Sequence, residues 1–244
     1  DIPSIKNGTS QLSAYLAAGV VSPRQCLHIA TQVDDGTKTW ISELTWRDFY
    51  THVMVGFPKV SKHQPFKDKT NAIDWRTNKS DFEAWASGNT GYPIVDAGMR
   101  QLWQTGWQHN RVRMVTASFL IKHLLIDWRE GEKWFHDTLV DADPASNAAS
   151  WQWVAGSGAD ASPYCRIFNP FTQGEKFDPN GDYVRKFVPE LAKLPKKYIH
   201  RPWEAPKNVL ENAGVKLGKD YPKPIVNHKE AREKALSAYK ASRE

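Results

Sequence analysis

Apolar positions along this chain recur at intervals of three and four, and alternation of apolar with polar residues is almost absent. That period belongs to helices with one buried face and not to half-buried strands. The longest run, with Val112, Val115, Phe119, Leu120 and Leu124, predicts a helix from Asn110 to about Trp128. Residues 40–55 predict another, stopped by Gly56, and Pro93 to Thr105 a third, stopped by Gly106. Ser22-Pro23-Arg24-Gln25 has the form of a capping box, with proline at the first helical position. Thr9 to Ser13 leads into an Ala/Leu-rich turn that ends at Gly19. Glu132–Val140 follows the long helix, and Asp143 with Pro144 starts the next. From Gly156 to about Asn180, glycines and prolines predict a loop, and Asp182–Leu191 and Asn227–Ala241 predict helices. The expected fold is all-α and multi-helical, one domain over residues 1–244 with no clear linker and no repeat.

Composition narrows the class. With 40% apolar and 25% charged residues the chain is globular and not disordered. No apolar run is long enough for a membrane span. The two cysteines, Cys26 and Cys165, do not make a disulfide framework, so a reduced intracellular setting is expected, cytoplasm or nucleoid in a bacterium. The chain opens Asp-Ile-Pro-Ser without methionine or signal, as a piece excised from something longer would. Residues 191–240 hold 12 Lys and Arg against 5 Asp and Glu, more than the whole surplus of +6. Such a balance suits an anionic partner, and equally a solvated basic segment. The unusual count is tryptophan, at 11.

Three clusters carry possible chemistry. Glu43, Trp46, Arg47 and Tyr50 share one helix face. They make either a local Glu43–Arg47 ion pair beside a packed indole or a face that recognises bases and phosphates. Asn110, Arg111, Arg113 and Met114 open the long helix, where cations oppose the helix dipole and call for an anion, inside or outside the protein. Asp141, Asp143, Asn147 and Trp151 group acid, amide and indole at a helix start, as a heteroaromatic ligand or a packed helix end would require. Metal-ligand spacing, a nucleophile elbow and a dinucleotide fingerprint are missing, so metal and hydrolytic chemistry have little support.

In order along the chain stand Thr9-Ser-Gln-Leu-Ser13, Glu43-Leu-Thr-Trp-Arg47, Thr90-Gly-Tyr-Pro-Ile-Val-Asp96 and Gly106-Trp-Gln-His-Asn-Arg-Val-Arg-Met114. Asp127-Trp-Arg-Glu-Gly131, Trp151-Gln-Trp153, Arg166-Ile-Phe-Asn-Pro170 and Gln173-Gly-Glu-Lys-Phe177 follow. Together these blocks resemble the FAD-binding domain of the photolyase/cryptochrome family. The resemblance implies a helical domain that holds FAD, with DNA entering above it. It implies that Thr9, Ser10, Gln11, Leu12 and Ser13 hold the diphosphate and that Trp40 borders the cofactor. Asp141, Ala142 and Asp143 match the stretch beside flavin and ribose, Arg113 the partner of the first aspartate, and Asn147 the residue that faces the flavin N5.

For DNA, the resemblance makes Glu43 the carboxyl group that hydrogen-bonds a pyrimidine dimer. Trp46 and Trp153 flank the flipped lesion, and Met114 touches it. Arg47, Tyr50, Asn110, Arg111 and Gln173 belong to the DNA-facing set. Trp151, Trp128 and Trp75 match an electron relay, while Trp85, Trp103, Trp107 and Trp134 are expected in the core. The implied activity is light-driven repair of cyclobutane pyrimidine dimers by electron transfer from excited FADH⁻, with Glu43, Asn147 and Met114 at the reacting centre. The alternative is a cryptochrome-type blue-light receptor. Asn110 stands where photolyases for the 6-4 photoproduct usually show a histidine. The family's N-terminal α/β antenna domain lies outside this chain, so no antenna chromophore is expected on it. The expected partner is dimer-containing DNA, bound by a monomer, with no membrane and no metal. Ala148-Ala149-Ser150 departs from a stretch often richer in glycine.

Overall fold

A computed structural model describes residues 2–3, 8–33, 37–160, 163 and 166–242; Cys165 lies outside them. Among the described residues there are twelve α-helices, and the one extended pairing is an isolated bridge between Leu217 and Tyr221. The all-α expectation therefore holds.

Helix α1 (Ser13–Ala17) is a single turn. Helix α2 (Pro23–Ala30) starts on the predicted capping box: Ser22 Oγ accepts from Gln25 N at 3.1 Å, and Gln25 Oε1 accepts from Ser22 N at 2.9 Å. It buries Cys26 as a free thiol. Helix α3 (Thr37–Gly56) is longer than predicted and buries only Leu44. Two 3-10 turns, Pro58–Lys62 and Asp68–Ala72, lead to α4 (Lys79–Ala86), which the sequence reading did not anticipate and which Asn78 caps through Asp81 N.

The centre is α5 (Pro93–Thr105), with nearly every residue of its first three turns buried. Its Asp96 carboxylate is buried yet fully occupied, accepting from Thr90 N, Thr90 Oγ1, Gly91 N and Tyr221 OH at 2.6–3.0 Å. A buried carboxylate is tolerated only with such partners. Gly98 lets α5 approach the next helix, since a Cβ there would stand 2.5 Å from Val112 Cγ1.

The predicted long helix, Asn110 to about Trp128, ends early, and the helix expected over Glu132–Val140 starts at Trp128. Helix α6 (Asn110–Ser118) widens into a π-type turn over Phe119–His123, where Leu124 N bonds Phe119 O. Leu125 then takes a left-handed conformation (φ 53°), and α7 (Trp128–Thr138) restarts with Asp127 accepting from Arg129 N. Apolar spacing runs through the junction because every residue from Val115 to Ile126 is buried on either side of it.

Helix α8 (Pro144–Ala155) packs against α3, α6 and α7, capped by Asp143 and closed by Gly156 in the left-handed region. Inside the predicted loop lies a further helix, α9 (Pro170–Phe177), capped by Asn169. Pro189 splits the predicted Asp182–Leu191 helix into α10 (Asp182–Phe187) and a 3-10 turn. Helices α11 (Lys207–Ala213) and α12 (His228–Ala241) complete the chain. One tryptophan expectation fails outright: Trp103 is 69% exposed, on the outward face of α5, and stacks on Trp134. Trp85 is in the core as expected, with no exposure.

Candidate functional site

The interior side of the site is built by α6, α7 and α8. Arg113 projects from the first turn of α6, and its Nη2 meets Asp141 Oδ2 at 2.7 Å while its Nε donates to Gln108 O. The cation that opposed the helix dipole is thus answered by an internal aspartate. His109 caps the same turn by accepting from Arg111 N, and burial, with the Arg111 and Arg113 charges adding to it, brings its pKa down to about 4. A neutral imidazole suits that capping role. Arg111 lies over the Phe177 ring at 4.4 Å and approaches Met114 Sδ at 3.7 Å, which joins the start of α6 to α9. Asn110 is exposed at the head of α6.

Asp141 is almost fully buried, and its second oxygen, Oδ1, accepts no hydrogen bond among the described residues. Ala142 is partly buried between it and Asp143, the N-cap of α8. On the first turns of α8, Asn147 donates its Nδ2 to Glu132 O at 2.9 Å and Glu132 Oε1 at 3.2 Å. Trp151, one turn on, is buried against Phe135 and Trp85. Gly131 is what allows this, since a Cβ there would overlap the Trp151 indole and Leu120.

The outer side is α3. Arg47 does not pair with Glu43; its Nη2 reaches across to Asp143 Oδ2 at 2.9 Å, tying α3 to the head of α8. The local ion pair proposed from spacing is therefore replaced by a tertiary one. Glu43 is exposed. Trp46 is 42% exposed and stacks on Tyr50 at 5.7 Å, with Phe49 edge-on. Tyr50, Gln152 and Trp153 line one small cavity with Phe66 and Asp160. Burial raises the Tyr50 pKa, and the Asp160 and Glu43 charges push it the same way. Trp153 is half-buried beneath the Arg166 guanidinium. Gln173, on α9, has its Oε1 buried without a partner among the described residues.

At the N-terminal edge Thr9 is partly buried, Gln11 is left-handed (φ 53°), and no side chain caps the first turn of α1 after Leu12. Ser10 Oγ accepts from Trp40 Nε1 at 3.1 Å, and Ser13 Oγ from Trp107 Nε1 at 3.3 Å. Trp107 is thus a partner of this segment as well as a packed residue. Of the three relay candidates, Trp151 and Trp128 are buried, and Trp75 is half-buried against Tyr239. None of the three is in ring contact with another among the described residues.

Chemically, α6, the segment before α8 and α8 itself offer acceptors (Asp141 Oδ1 and the Asn147 carbonyl), a cation (Arg113) and an indole (Trp151). Such a donor set fits a heteroaromatic ring that carries N–H groups, and hydroxyls with free N–H groups at segment 9–13 fit an anion. A flavin dinucleotide has both parts. Residues that spacing had not singled out are Glu132, His63 and Gln152. Gln152 Oε1 accepts from Phe66 N at 2.9 Å and its Nε2 donates to Gln64 O at 3.2 Å, pinning the loop after α3 to α8. No period in the chain marks contacts between such distant segments.

Among the described residues no cluster of His, Cys, Asp and Glu is arranged for a metal ion, and no helix is long and apolar enough to cross a membrane. Comparison with known proteins agrees with the donor set. Residues 40–241 match the family described as the FAD binding domain of DNA photolyase. The deoxyribodipyrimidine photo-lyase of Agrobacterium fabrum is 60% identical over 99% of this chain and 51% of its own length. A crystal structure of a class III photolyase from Agrobacterium tumefaciens superposes with a TM-score of 0.94 at 60% identity, over 99% of this chain and 51% of that one. A cryptochrome from Synechocystis gives 0.87 at 38% identity, over 94% and 48%. The chain spans about half the length of the curated relatives it matches. It belongs to the family of FAD-binding domains of DNA photolyases.

Proposed function

We propose that this chain holds FAD between segment 9–13, α6 and α8 and repairs cyclobutane pyrimidine dimers flipped out of DNA. The observation that carries this reading is the face of α3. A long helix that buries only Leu44, leaves Trp46 and Phe49 at the surface and is tied to α8 by Arg47–Asp143 has an aromatic face free for a ligand. Planar bases stack on such faces, and photolyases are among the enzymes known to take their target out of the duplex. In this reading Trp46 and Trp153 contact the lesion from two helices, Met114 closes the floor, and Glu43 hydrogen-bonds the pyrimidine edge.

FAD, active as FADH⁻, supplies the light absorption and the one-electron chemistry when bound. The protein's part is positional. Asp141, oriented by Arg113, presents Oδ1 to a ring N–H; Ser10, Ser13 and the open first turn of α1 receive the diphosphate; Trp40 forms an edge. Asn110, Arg111, Gln173 and, after release from Asp143, Arg47 meet the DNA strand. Trp151, Trp128 and Trp75 are proposed as the relay, and their grading from buried to half-buried is in keeping with an exit to the surface.

The second reading, a light receptor, is supported by the likeness to the Synechocystis cryptochrome. Affinity separates the two. The flavin-loaded chain is titrated in the dark with an oligonucleotide carrying one thymine dimer and with its undamaged twin. Marked preference for the damaged strand is expected; equal affinity for both would remove the repair reading and leave the receptor.

A further inference from the structure

Glu132 sits on α7 one turn after Arg129 and is 5% exposed. Its two carboxylate oxygens have different neighbours. Oε1 accepts from the Asn147 amide at 3.2 Å, and Oε2 stands 2.8 Å from His63 Nδ1. The His63 contact is an ion-pair approach and lacks the alignment of a hydrogen bond. His63 itself is held in an unusual place. It follows the first 3-10 turn in a left-handed conformation (φ 57°), which is costly for a residue with a Cβ. Arg129 Nε clamps its carbonyl oxygen at 2.7 Å, and the rest of the Arg129 fork is fixed by Asp127 and Asn71. One face of α7 thus grips His63 twice, through its backbone and through its ring.

The consequence falls on Asn147. Both groups that Glu132 turns toward the Asn147 side-chain end, its backbone carbonyl and its carboxylate, are acceptors. Only the NH₂ end of the amide can face them, which settles which way the amide points. Its carbonyl oxygen is turned away from Glu132 and accepts no hydrogen bond among the described residues.

We propose that His63 and Glu132 are positioning residues: His63 sets the rotation of the Glu132 carboxylate, and the carboxylate, together with the Glu132 backbone carbonyl, locks the Asn147 amide with its carbonyl oxygen toward the ligand. This rests on the reading that Asn147 faces the flavin ring. An acceptor in that place pairs with a ring N–H, as in reduced flavin, and opposes a bare ring nitrogen, as in oxidised flavin. The His63–Glu132 pair thereby biases the site toward the reduced form.

The test uses this chain with four substitutions and two readouts. The first readout, on flavin-free protein, is solvent exchange of the Asn147 Nδ2 protons by NMR. The second is the ratio of affinities for reduced and oxidised FAD, titrated anaerobically. Glu132→Leu, which removes the carboxylate and keeps the backbone carbonyl, is expected to speed exchange and to lower the ratio about three- to tenfold, the worth of one lost hydrogen bond. Glu132→Gln, which keeps an acceptor oxygen, is expected to restore most of the ratio, and His63→Ala to fall between. Unchanged exchange and ratio in Glu132→Leu, with a ratio altered by Asn147→Ala, would overturn the proposal while leaving the flavin reading intact. A ratio indifferent to Asn147→Ala would overturn the flavin contact itself. If Glu132→Leu does not fold, His63→Ala decides through exchange alone, since more than half of that side chain is exposed; unchanged protection there refutes the proposal.

Discussion

Helices α3 and α8 line the same small cavity and are built on opposite terms. Along α8, Asn147, Trp151 and Gln152 are buried; the Asn147 amide bonds to α7 and the Gln152 amide to the loop after α3. Along α3 one residue is buried, and the aromatic side chains stack on each other at the surface. Burial of apolar area stabilises a fold by about 25 cal/mol per Å², so leaving Trp46 and Phe49 exposed forgoes stability. In the proposed reading that difference divides the labour: α8 with α7 and α6 would make a packed interior for the cofactor, and α3 would keep a surface for a large ligand. Substitutions on the two sides should therefore separate stability from binding.

The largest expected effect is in the interior. Asp141→Asn breaks the pairing with Arg113 and should cost about 2–3 kcal/mol of unfolding free energy, since hydrogen bonds between charged groups are among the strong ones. Urea titration measures it, and a loss below about 0.5 kcal/mol would show that the pair is not holding α6 to α8. Next, Gly131→Ala should cost about 1–3 kcal/mol through overpacking against Trp151 and should shift the Trp151 fluorescence. An unshifted spectrum would mean that the close approach is not maintained.

Acid should weaken the interior as well. His123 is buried, its Nε2 lies 2.8 Å from His228 Nδ1 on α12, and burial followed by the His228 charge lowers its pKa to about 3. The folded pKa lies below the unfolded value, so the neutral form stabilises the fold above about pH 6.5 and this contribution is lost as pH falls toward 3. His123→Phe should flatten the decline of stability between pH 6.5 and 4; an equal slope in both proteins would assign acid sensitivity elsewhere. The smallest effect on folding is expected on α3. Trp46→Ala should change stability by less than about 0.5 kcal/mol yet weaken binding of dimer-containing DNA by about 1–3 kcal/mol, the worth of a stacked base. A destabilised fold with unaltered affinity would reverse the division of labour.

The same contrast governs how much could be read from the chain. Caps are local, so the Ser22–Gln25 box, the Asp143-Pro144 start and the Gly106 and Gly156 stops were legible. The break between α6 and α7 was expected after Trp128 and lies instead at residues 124–127, because burial on both sides kept apolar residues in helical register through Phe119–Ile126. Asp127 before Trp128 was the available signal for its true place, an N-cap inside the span read as the end of the long helix. The short helices α4, α9 and α11 lack a sustained period and went unseen. In the site, shared faces came from spacing and the Arg113–Asp141 pairing from family resemblance. Arg47–Asp143 and His63–Glu132–Asn147 join distant segments, and only tertiary packing brings them together. The basic surplus after residue 190 lies outside the sequence motifs of the candidate site.

The most direct measurement is repair itself. The chain is loaded with reduced FAD, mixed with an oligonucleotide carrying a single thymine dimer, and either illuminated with near-ultraviolet light or kept dark, with recovery of intact thymines followed by chromatography. The predicted result is recovery in the light alone, lost in Glu43→Ala and Trp46→Ala proteins that still hold flavin. Absence of recovery under light, with reduced flavin bound and the damaged strand in complex, would contradict the placement of cofactor and lesion in this one domain.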